Sequence, residues 1–434
     1  MRFASKTLMV GVLTVALVIA LSMIRGTVQD RQRHRAEAVE AVARSTAGAQ
    51  SLEGPVLFVP FSDRVVTTQV DANGAQRRVE HVQHGKWVFF PQSLEVRGTL
   101  RSVPRMRGIH EVRVFELDST QRAAFRVRIP LDDDPATPRT IGEPRLGLGI
   151  SDVRGLVGVA SLRVKGEQRT LRQGQGGGGS GLHTTFTRPA PGTTLEFDVE
   201  FKSSLQGTET LSIAPLAERN LLALESTWPH PQFHGDFLPR TRVIGPDGFR
   251  ARWEVSSLAS NAQSQFRERM GGSSAVPGID AISVSLVDPV NIYSKVDRAT
   301  KYGVLFVLLT FATFAMFEFL EQLRIHPIQY GLVGLAVAIF FLLLLALSEH
   351  IAFGRAYLIA AIACVMLIGH YLGHVLGGWV RGGGFAVLLG TLYAALYGLL
   401  ISEDNAMVLG AGLLFLILAA IMVRTRKVDW YRAR

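Results

Sequence analysis

Residues 302–347 decide the fold and read YGVLFVLLTFATFAMFEFLEQLRIHPIQYGLVGLAVAIFFLLLLAL. This stretch holds two long apolar runs, 302–323 and 329–347, with a short polar connection between them. A helix needs about 20 apolar residues to cross about 30 Å of hydrocarbon. Because lipid offers no hydrogen-bond partners to the backbone, each run is predicted to be a helix rather than a strand. Pro327 disfavours a continuous helix, so the stretch predicts two membrane-spanning helices joined by a tight turn.

Four further apolar runs of similar length occur at residues 7–24, 356–376, 385–401 and 406–423. Together with the first two they predict an α-helical polytopic membrane protein with six transmembrane helices. One helix lies in residues 1–25, and residues 301–434 form a five-helix membrane module with a basic tail. We interpret residues 1–25 as an uncleaved anchor, because the run is long for a signal peptide and the cleavage site is poor.

The sequence between the apolar runs 7–24 and 302–323 differs in composition from the runs themselves. Residues 26–53 are charged and alanine-rich, which predicts a helical stalk. Residues 54–300 contain many short strand-like runs separated by Gly, Pro, Asn and Asp, which predicts a large β-rich, sandwich-like domain. The glycine run at 173–181 lacks the Gly-Lys-Ser/Thr ending of a phosphate loop, so it predicts a flexible loop or a seam between subdomains.

The charge distribution points to a membrane rather than to nucleic acid. The formal net charge is +10, but residues 26–300 hold 34 Lys/Arg against 30 Asp/Glu. The rest of the excess flanks the apolar runs, as is typical of membrane edges. We therefore predict the lipid bilayer as a partner and no nucleic acid. The single cysteine excludes an intrachain disulfide and a multi-cysteine metal site.

The short loops predict the orientation in the membrane. With a cytoplasmic N-terminus, the inner segments carry most of the basic residues, and the outer short loops carry only Arg355. The basic cluster from Arg25 to Arg35 disagrees, but long domains cross membranes largely regardless of their charge. We predict a bacterial inner-membrane protein with both termini in the cytoplasm and the β domain in the periplasm.

Ionisable side chains within or beside the membrane runs are candidate functional groups. The candidates are Glu318, Glu321, Arg324 and His326 around the connection, Glu349 and His350 after the run 329–347, and His370 and His374 in the run 356–376. His370 and His374 share a helix face and, with a carboxylate, would suit zinc. No H-E-x-x-H motif accompanies them, so we favour interfacial histidines and predict no metal or cofactor. Glu349 beside His350 could move protons, but a solvated pair at a helix end is favoured.

The most distinctive motif of the β domain is Trp228-Pro229-His230-Pro231-Gln232-Phe233. Its prolines favour a rigid extended backbone, so Trp228, His230 and Phe233 could form a recognition ledge. A structural corner that packs Trp228 into the core is the favoured interpretation. No nucleophile elbow, paired-carboxylate motif or cofactor fingerprint is apparent, which favours a protein that is not an enzyme.

Three stretches resemble a known pattern. They are Arg31-Gln32-x-x-Arg35 with Gly54-Pro55-Val56-Leu57; residues 228–239 with 248–253; and residues 301–303, 324–330 and 347–350 with the ending Asp429-Trp430-Tyr431. Together they resemble the CreD family of bacterial inner-membrane proteins over nearly the whole chain. The resemblance implies a role in cell-envelope integrity and implies no catalytic residues.

Three hypotheses for function follow. The leading one is a non-enzymatic inner-membrane protein that supports envelope integrity and the envelope stress response, with a β domain that engages an unknown periplasmic partner. The first alternative is a transporter or lipid-handling protein that uses Glu318, His326, Glu349, His370 and His374. The second alternative is a membrane-bound envelope enzyme.

Overall fold

The computed structural model divides into two compact units. The structure describes residues 3–70, 76–131, 139–272, 278–287, 292–320, 325–375, 378–402 and 406–425. One unit comprises Met1–Arg35 and Val290–Arg434, and we call it the helical unit. The other comprises Ala36–Pro289, and we call it the β unit.

The helices account for nearly all of the helical unit. They are α1 Phe3–Ser45, α2 Ala262–Met270, α3 Ile292–Leu320, α4 Pro327–Ser348, α5 Phe353–Val375, α6 Trp379–Ile401 and α7 Ala406–Thr425, of which α2 and the end of α1 from Ala36 belong to the β unit. Within the described residues, four helices are long and apolar enough to cross a membrane, namely α1, α4, α5 and α6. The coarse prediction of a membrane protein with a β-rich domain is confirmed, and the count of six spans stays a prediction.

Large side chains and glycines pack the helical unit together. Leu17 of α1 joins the same buried cluster as Phe341 of α4 and Phe385 of α6. At Gly382 of α6, a Cβ would lie 2.5 Å from the Cα of Gly373 in α5. Such close approach of two backbones requires small residues and is a common way for helices to associate in membranes.

Two predicted boundaries at the ends of these helices need correction. The predicted run begins at residue 302, but α3 begins at Ile292, because Val296 and Ala299 are buried in the helical core despite the charges around them. The predicted stalk reached residue 53, but α1 ends at Ser45 and the first strand begins at Gln50. Residues 50–53 are drawn into the sheet by parallel pairing with residues 211–214.

The β unit contains two large sheets. The strands are β1 Gln50–Val70, β2 Gln76–Phe89, β3 Ser93–Arg107, β4 His110–Arg128, β5 Arg139–Ile141, β6 Arg145–Ile150, β7 Leu156–Val164, β8 Glu167–Arg169, β9 Arg172–Gln173, β10 Gly181–Thr185, β11 Thr194–Thr208, β12 Thr210–Ala214, β13 Arg219–Ser226, β14 Gln232–Gly235, β15 Thr241–Gly245, β16 Gly248–Ser256 and β17 Ile282–Ser285. The first sheet has the order β14-β17-β12-β1-β6-β10-β9, with β2 and β5 also paired to β1. The second sheet has the order β15-β16-β13-β3-β4-β11-β7-β8.

The two sheets share one apolar core. Leu148 and Ile213 of the first sheet belong to the same buried cluster as Phe125 and Trp253 of the second. Phe233 of β14 meets Trp253 of β16 edge to face, with 5.6 Å between the ring centres. Two sheets that bury their inner faces against each other form a sandwich.

Several strands are longer than the sequence pattern predicts. Two separate strand-like runs of the sequence, residues 109–116 and 124–129, are joined in β4, which runs without a break from His110 to Arg128. The intervening residues are polar, yet Ser119 and Gln121 are buried and continue the inward-facing alternation. Because these two positions carry polar side chains, the hydrophobic signal of the strand disappears in its middle.

The glycine run does not separate two subdomains, and its flexibility stays a prediction. Gln175 is 2% exposed, and its carbonyl oxygen would lie 1.8 Å from a Cβ at Gly147 of β6. Lys86 donates a hydrogen bond from Nζ to the Gly177 carbonyl at 2.8 Å. Glycines at these positions let one backbone lie directly on another. The segment therefore packs on the first sheet, and residues on both sides of it belong to one compact unit.

Candidate functional site

The polar connection between α3 and α4 is built around His326. Its ring Nδ1 accepts a hydrogen bond from the Ile328 backbone N–H at 3.3 Å. The backbone N–H of His326 donates to Oε1 of Gln329 at 3.0 Å. Pro327 is the first residue of α4. This reciprocal pair is a capping box, which satisfies backbone donors at a helix start. The structure therefore gives His326 a capping role, while Glu321 and Arg324 lie outside the described residues.

Glu318 is held by the neighbouring helix. The Tyr330 hydroxyl of α4 donates to Oε2 of Glu318 at 2.8 Å. The Tyr330 ring in turn packs against Phe314 of α3, with 4.6 Å between ring centres. Tyr330 is thus a hydrogen-bond donor to this carboxylate that the sequence analysis did not identify.

Glu349 and His350 have different surroundings. Glu349 lies 3.2 Å from Nε of Arg31 in α1, and its side chain is only 10% exposed, whereas His350 is exposed. Asp297 of α3 forms similar ion pairs with Arg25 at 3.1 Å and with Lys301 at 2.8 Å. Arginines that follow the first apolar run are thus paired with carboxylates of α3 and α4. This geometry favours a structural link over a proton-transfer pair of Glu349 and His350.

His370 and His374 pack on an aromatic ring. The rings of both are within 5.6 Å of the Trp379 ring, measured between centres. Nδ1 of His374 lies 3.0 Å from the His370 carbonyl, which is a contact within α5. Within the described residues, no three His, Cys, Asp or Glu side chains form a group that could hold a metal ion. The arrangement is that of aromatic packing at the end of a helix.

The Trp228 motif forms a corner of the β unit. Trp228 is 8% exposed, and its Nε1 donates to the His230 carbonyl at 2.9 Å. The guanidinium of Arg113 covers its ring at 4.3 Å. Phe233 packs edge-on against Phe249 with 5.5 Å between centres. Of the three motif side chains, His230 is the one that is exposed.

A feature that the sequence did not reveal lies on the outer face of the second sheet. Strand pairing places six residues side by side across six neighbouring strands, in the order Arg252, Ala223, Arg97, Thr120, Lys202 and Ser161. Neighbouring strands are about 4.8 Å apart, so the three cations recur about every 10 Å. We call Arg252, Arg97 and Lys202 the basic row.

The basic row lines a cavity of about 770 Å³. Ala223, Thr120 and Ser161 are small, which leaves open space between the long cationic side chains. The walls include the exposed Val157 and Val159, together with Asp118, Glu225 and Arg250. The outer face of this sheet is therefore a shallow, polar trench rather than a flat surface.

The charges of the row are partly compensated. Nε of Arg97 donates to Glu95 at 2.7 Å, and Lys202 lies 3.0 Å from Glu200. Hydrogen bonds from Lys202 and Arg122 hold the pKa of Glu200 below its usual range, against a small opposing effect of burial. The Arg252 guanidinium has no ion pair or hydrogen bond to any described residue. Arg252 is thus the cation of the row that is available to a ligand.

The trench has the chemistry of a binding surface. Its lining includes no histidine and no cysteine. The Ser204 hydroxyl donates to Asp118, and the same carboxylate is bound by Arg101. A carboxylate that already holds an arginine is a poor base for activating a nucleophile. The arrangement supports recognition of a ligand and gives no support for acyl transfer.

The chain matches a family model along almost its whole length. The model of the inner membrane protein CreD covers residues 2–431. The chain belongs to the CreD family. The inner membrane protein CreD of Escherichia coli K12 is 35% identical over 417 residues, which are 96% of this chain and 91% of that protein.

The match includes both units, so the CreD family combines apolar helices with a β-rich unit in one chain. The protein is accordingly a multi-pass inner-membrane protein. CreD is not a known enzyme family. Among solved structures, an M1 zinc metallopeptidase from Deinococcus radiodurans is 8% identical over 45% of this chain and 41% of its own, with a TM-score of 0.20. A likeness of that size carries no argument about the function of a CreD protein.

Proposed function

We propose that this CreD-family protein supports cell-envelope integrity and the response to envelope stress without catalysing a reaction. On this proposal the β unit lies outside the cytoplasm and binds an anionic component of the envelope. The observation that carries the proposal is the basic row in its trench, with four cations lining the cavity (Arg97, Lys202, Arg250 and Arg252) against two carboxylates, Asp118 and Glu225.

The shape of the trench indicates the form of the ligand. From Arg252 in β16 to Lys202 in β11 there are four strand spacings, or about 19 Å at 4.8 Å each. Small residues separate the cations, so a ligand can lie along the row and meet them in turn. An extended chain with repeated negative charges fits this spacing better than a single small anion. Arginine binds carboxylate and phosphate oxygens through paired N–H donors, which suits such a polymer.

The proposed topology has six spans, with both termini in the cytoplasm. The short-loop charges support it, and the ion pairs of Arg25 and Arg31 account for the basic residues that would otherwise oppose it. Burial of Leu17 and Leu21 in the helical core supports an anchor that is retained. A reporter that is active only in the periplasm tests this topology. We expect activity when it is fused after Val290 and none when it is fused after Arg434, and the reverse result overturns the topology.

Binding at the trench is tested by crosslinking in intact cells. A photo-crosslinking residue at Thr120 lies between Arg97 and Lys202, and the exposed Val82 of β2 gives a control position on the other sheet. We expect an envelope adduct from Thr120 and not from Val82. The adduct should weaken in a variant with Arg97→Gln, Lys202→Gln and Arg252→Gln. Equal capture at both positions refutes a specific site at the trench.

A matched control separates the row from the general charge of the sheet. Arg126 lies on the same outer face, is exposed and pairs with Glu196 at 2.8 Å. Arg126→Gln should leave both the adduct and resistance to envelope stress intact. If Arg126→Gln weakens the adduct and the resistance as much as the triple variant does, the overall charge of the sheet is responsible and the trench is not the binding site.

The cavity described in the helical unit does not involve the polar residues on which the transporter alternative depends. The cavity described in the helical unit measures about 470 Å³ and is lined by aliphatic, tyrosine and small residues. Its lining includes none of the residues on which that alternative depends, namely Glu318, His326, Glu349, His370 and His374.

A further inference from the structure

A groove runs between α5 and α6 in the helical unit. Its volume is about 470 Å³, and most of its lining is apolar: Leu358, Ala361, Ile362, Val365, Met366, Ala394 and the rings of three tyrosines, with Gly354 and Gly390. Gly390 gives the groove its depth, because a Cβ at this position would meet no atom within 4 Å. The groove is therefore open space that a chain of methylene groups can fill.

The groove has the length of one membrane leaflet. It extends along α5 from Gly354, next to the start of that helix at Phe353, to Met366. Twelve residues at 1.5 Å each give about 18 Å, and half of a hydrocarbon core of about 30 Å is about 15 Å. The length of the groove thus matches the hydrocarbon part of one leaflet.

Two polar residues lie near the end of the groove at the start of α5: Tyr397, which lines it, and Arg355, which follows the lining residue Gly354 in the chain. Arg355 shares a face of α5 with Leu358 and Ile362, at spacings of three and seven residues. It is exposed, and its guanidinium makes no ion pair or hydrogen bond to any described residue. The Tyr397 hydroxyl lies beside Gly354, where a Cβ would be 2.7 Å from it.

The other tyrosine hydroxyls of the groove are already used. Tyr357 donates to the Tyr393 carbonyl at 2.7 Å, and Tyr393 donates to Sγ of Cys364 at 3.2 Å. The Tyr397 hydroxyl has no such bond to a described residue, although its ring packs against Tyr357. A cation and a hydroxyl that have no partner among the described residues therefore lie near one end of an apolar groove.

We propose that this groove binds one acyl chain of a phospholipid, with the phosphate held by Arg355 and Tyr397. The apolar lining accepts the chain, and the exposed arginine supplies the charge that a phosphate requires. A hydroxyl beside it can donate to a phosphate or ester oxygen. A neutral lipid would fill the groove but would leave the arginine without an anion among the described residues, so we expect the site to select for a phosphate.

Native mass spectrometry of the purified full-length protein tests the site with two added lipids. Dioleoyl phosphatidic acid carries the phosphate, and dioleoylglycerol is the same lipid without it. We expect a saturable adduct with the first and an affinity about tenfold lower for the second, as loss of a charged hydrogen bond predicts. Arg355→Gln should remove this preference, and Arg355→Lys should keep most of it.

Two glycine variants of α6 test the groove itself. Gly390→Leu places a side chain in the open space, whereas Gly398→Leu makes the same change on the same helix at a position that also has no atom within 4 Å but does not line the groove. We expect Gly390→Leu to lose the adduct and Gly398→Leu to retain it. Equal adducts in the two variants overturn the groove. Should Gly390→Leu fail to fold, Arg355→Gln decides, because Arg355 is exposed: an unchanged preference for the phosphate lipid refutes the site.

Discussion

Arg31 of α1 and Glu349 at the end of α4 form an ion pair with 3.2 Å between Nε and Oε1. We predict that Glu349→Gln destabilises the helical unit by about 1–2 kcal/mol. A fully buried pair costs about 3–5 kcal/mol when one partner is removed, but the Arg31 side chain is 42% exposed, so solvent reduces the effect. The buried Cys364 is the single cysteine, and its reaction with a thiol dye on heating reports unfolding of this unit.

Arg33 provides the matched control for that pair. It lies two residues from Arg31 and pairs with Asp30, but both side chains of this pair are well exposed. Arg33→Gln should leave the dye reaction almost unchanged. Exchange of the charges, Arg31→Glu with Glu349→Arg, should recover part of the loss. An effect of Arg33→Gln as large as that of Glu349→Gln contradicts a specific link.

Trp228→Ala is predicted to destabilise the β unit by about 3–5 kcal/mol, the usual cost of truncating a buried tryptophan. Trp228→Phe should cost less, because one aromatic ring remains, although part of the indole volume and the hydrogen bond to the His230 carbonyl are lost. His230→Ala is the control, since it removes a side chain and keeps that carbonyl. Thermal unfolding of the full-length protein, followed by tryptophan fluorescence, gives the order. A stable Trp228→Ala variant that loses envelope function would identify Trp228 as a contact residue.

The sequence predicts most of what depends on local hydrophobicity. The apolar runs at 329–347, 356–376 and 385–401 correspond to α4, α5 and α6, since a spanning helix must be apolar along its length. The predicted start of α3 was wrong because Asp297 pairs there with both Lys301 and Arg25. The pair with Lys301 is local, but Arg25 is distant from Asp297 in the chain, so no local pattern predicts that pair.

Asp63 and Arg139 provide a pH-dependent contribution to the β unit. Arg139 donates two hydrogen bonds to Asp63, at 2.7 and 3.0 Å, and these lower the pKa of the carboxyl group although burial opposes them. Because the pKa of Asp63 is lower in the folded than in the unfolded protein, the carboxylate stabilises the fold fully above its unfolded pKa of about 4. This contribution is lost as the pH falls through the pKa of Asp63 in the folded protein.

We therefore predict that Asp63→Asn lowers the stability of the β unit at pH 7 by about 1 kcal/mol, since the pair is partly exposed. The difference between the variant and the unaltered protein should shrink as the pH falls below about 4. Unfolding by tryptophan fluorescence at several pH values measures it. A difference that stays constant down to pH 2 would show that the carboxylate charge is not the cause.

The candidate site was beyond the reach of sequence patterns for a different reason. Arg97, Lys202 and Arg252 lie on three strands that are distant in the chain, and only the pairing register aligns them. Alternating polar residues in β3 and β16 predict an exposed face, but they do not specify which strands are neighbours. The parallel pairing of β3 with β13 places Arg97 in line with Arg252. Parallel strands are joined by long connections, so no turn motif in the sequence predicts this pairing.

His326→Ala is predicted to destabilise the helical unit by about 1 kcal/mol, because α4 loses the side chain that accepts from the Ile328 N–H. His326→Asn keeps an acceptor and should restore most of the stability. His350→Ala, an exposed histidine beyond the other end of the same helix, is the control. Dye labelling of Cys364 on heating measures all three variants. If His326→Ala leaves this stability intact and abolishes resistance to envelope stress, and His326→Asn does not restore the resistance, the connection between α3 and α4 is a functional site. The transporter alternative should then replace the proposal made for the basic row.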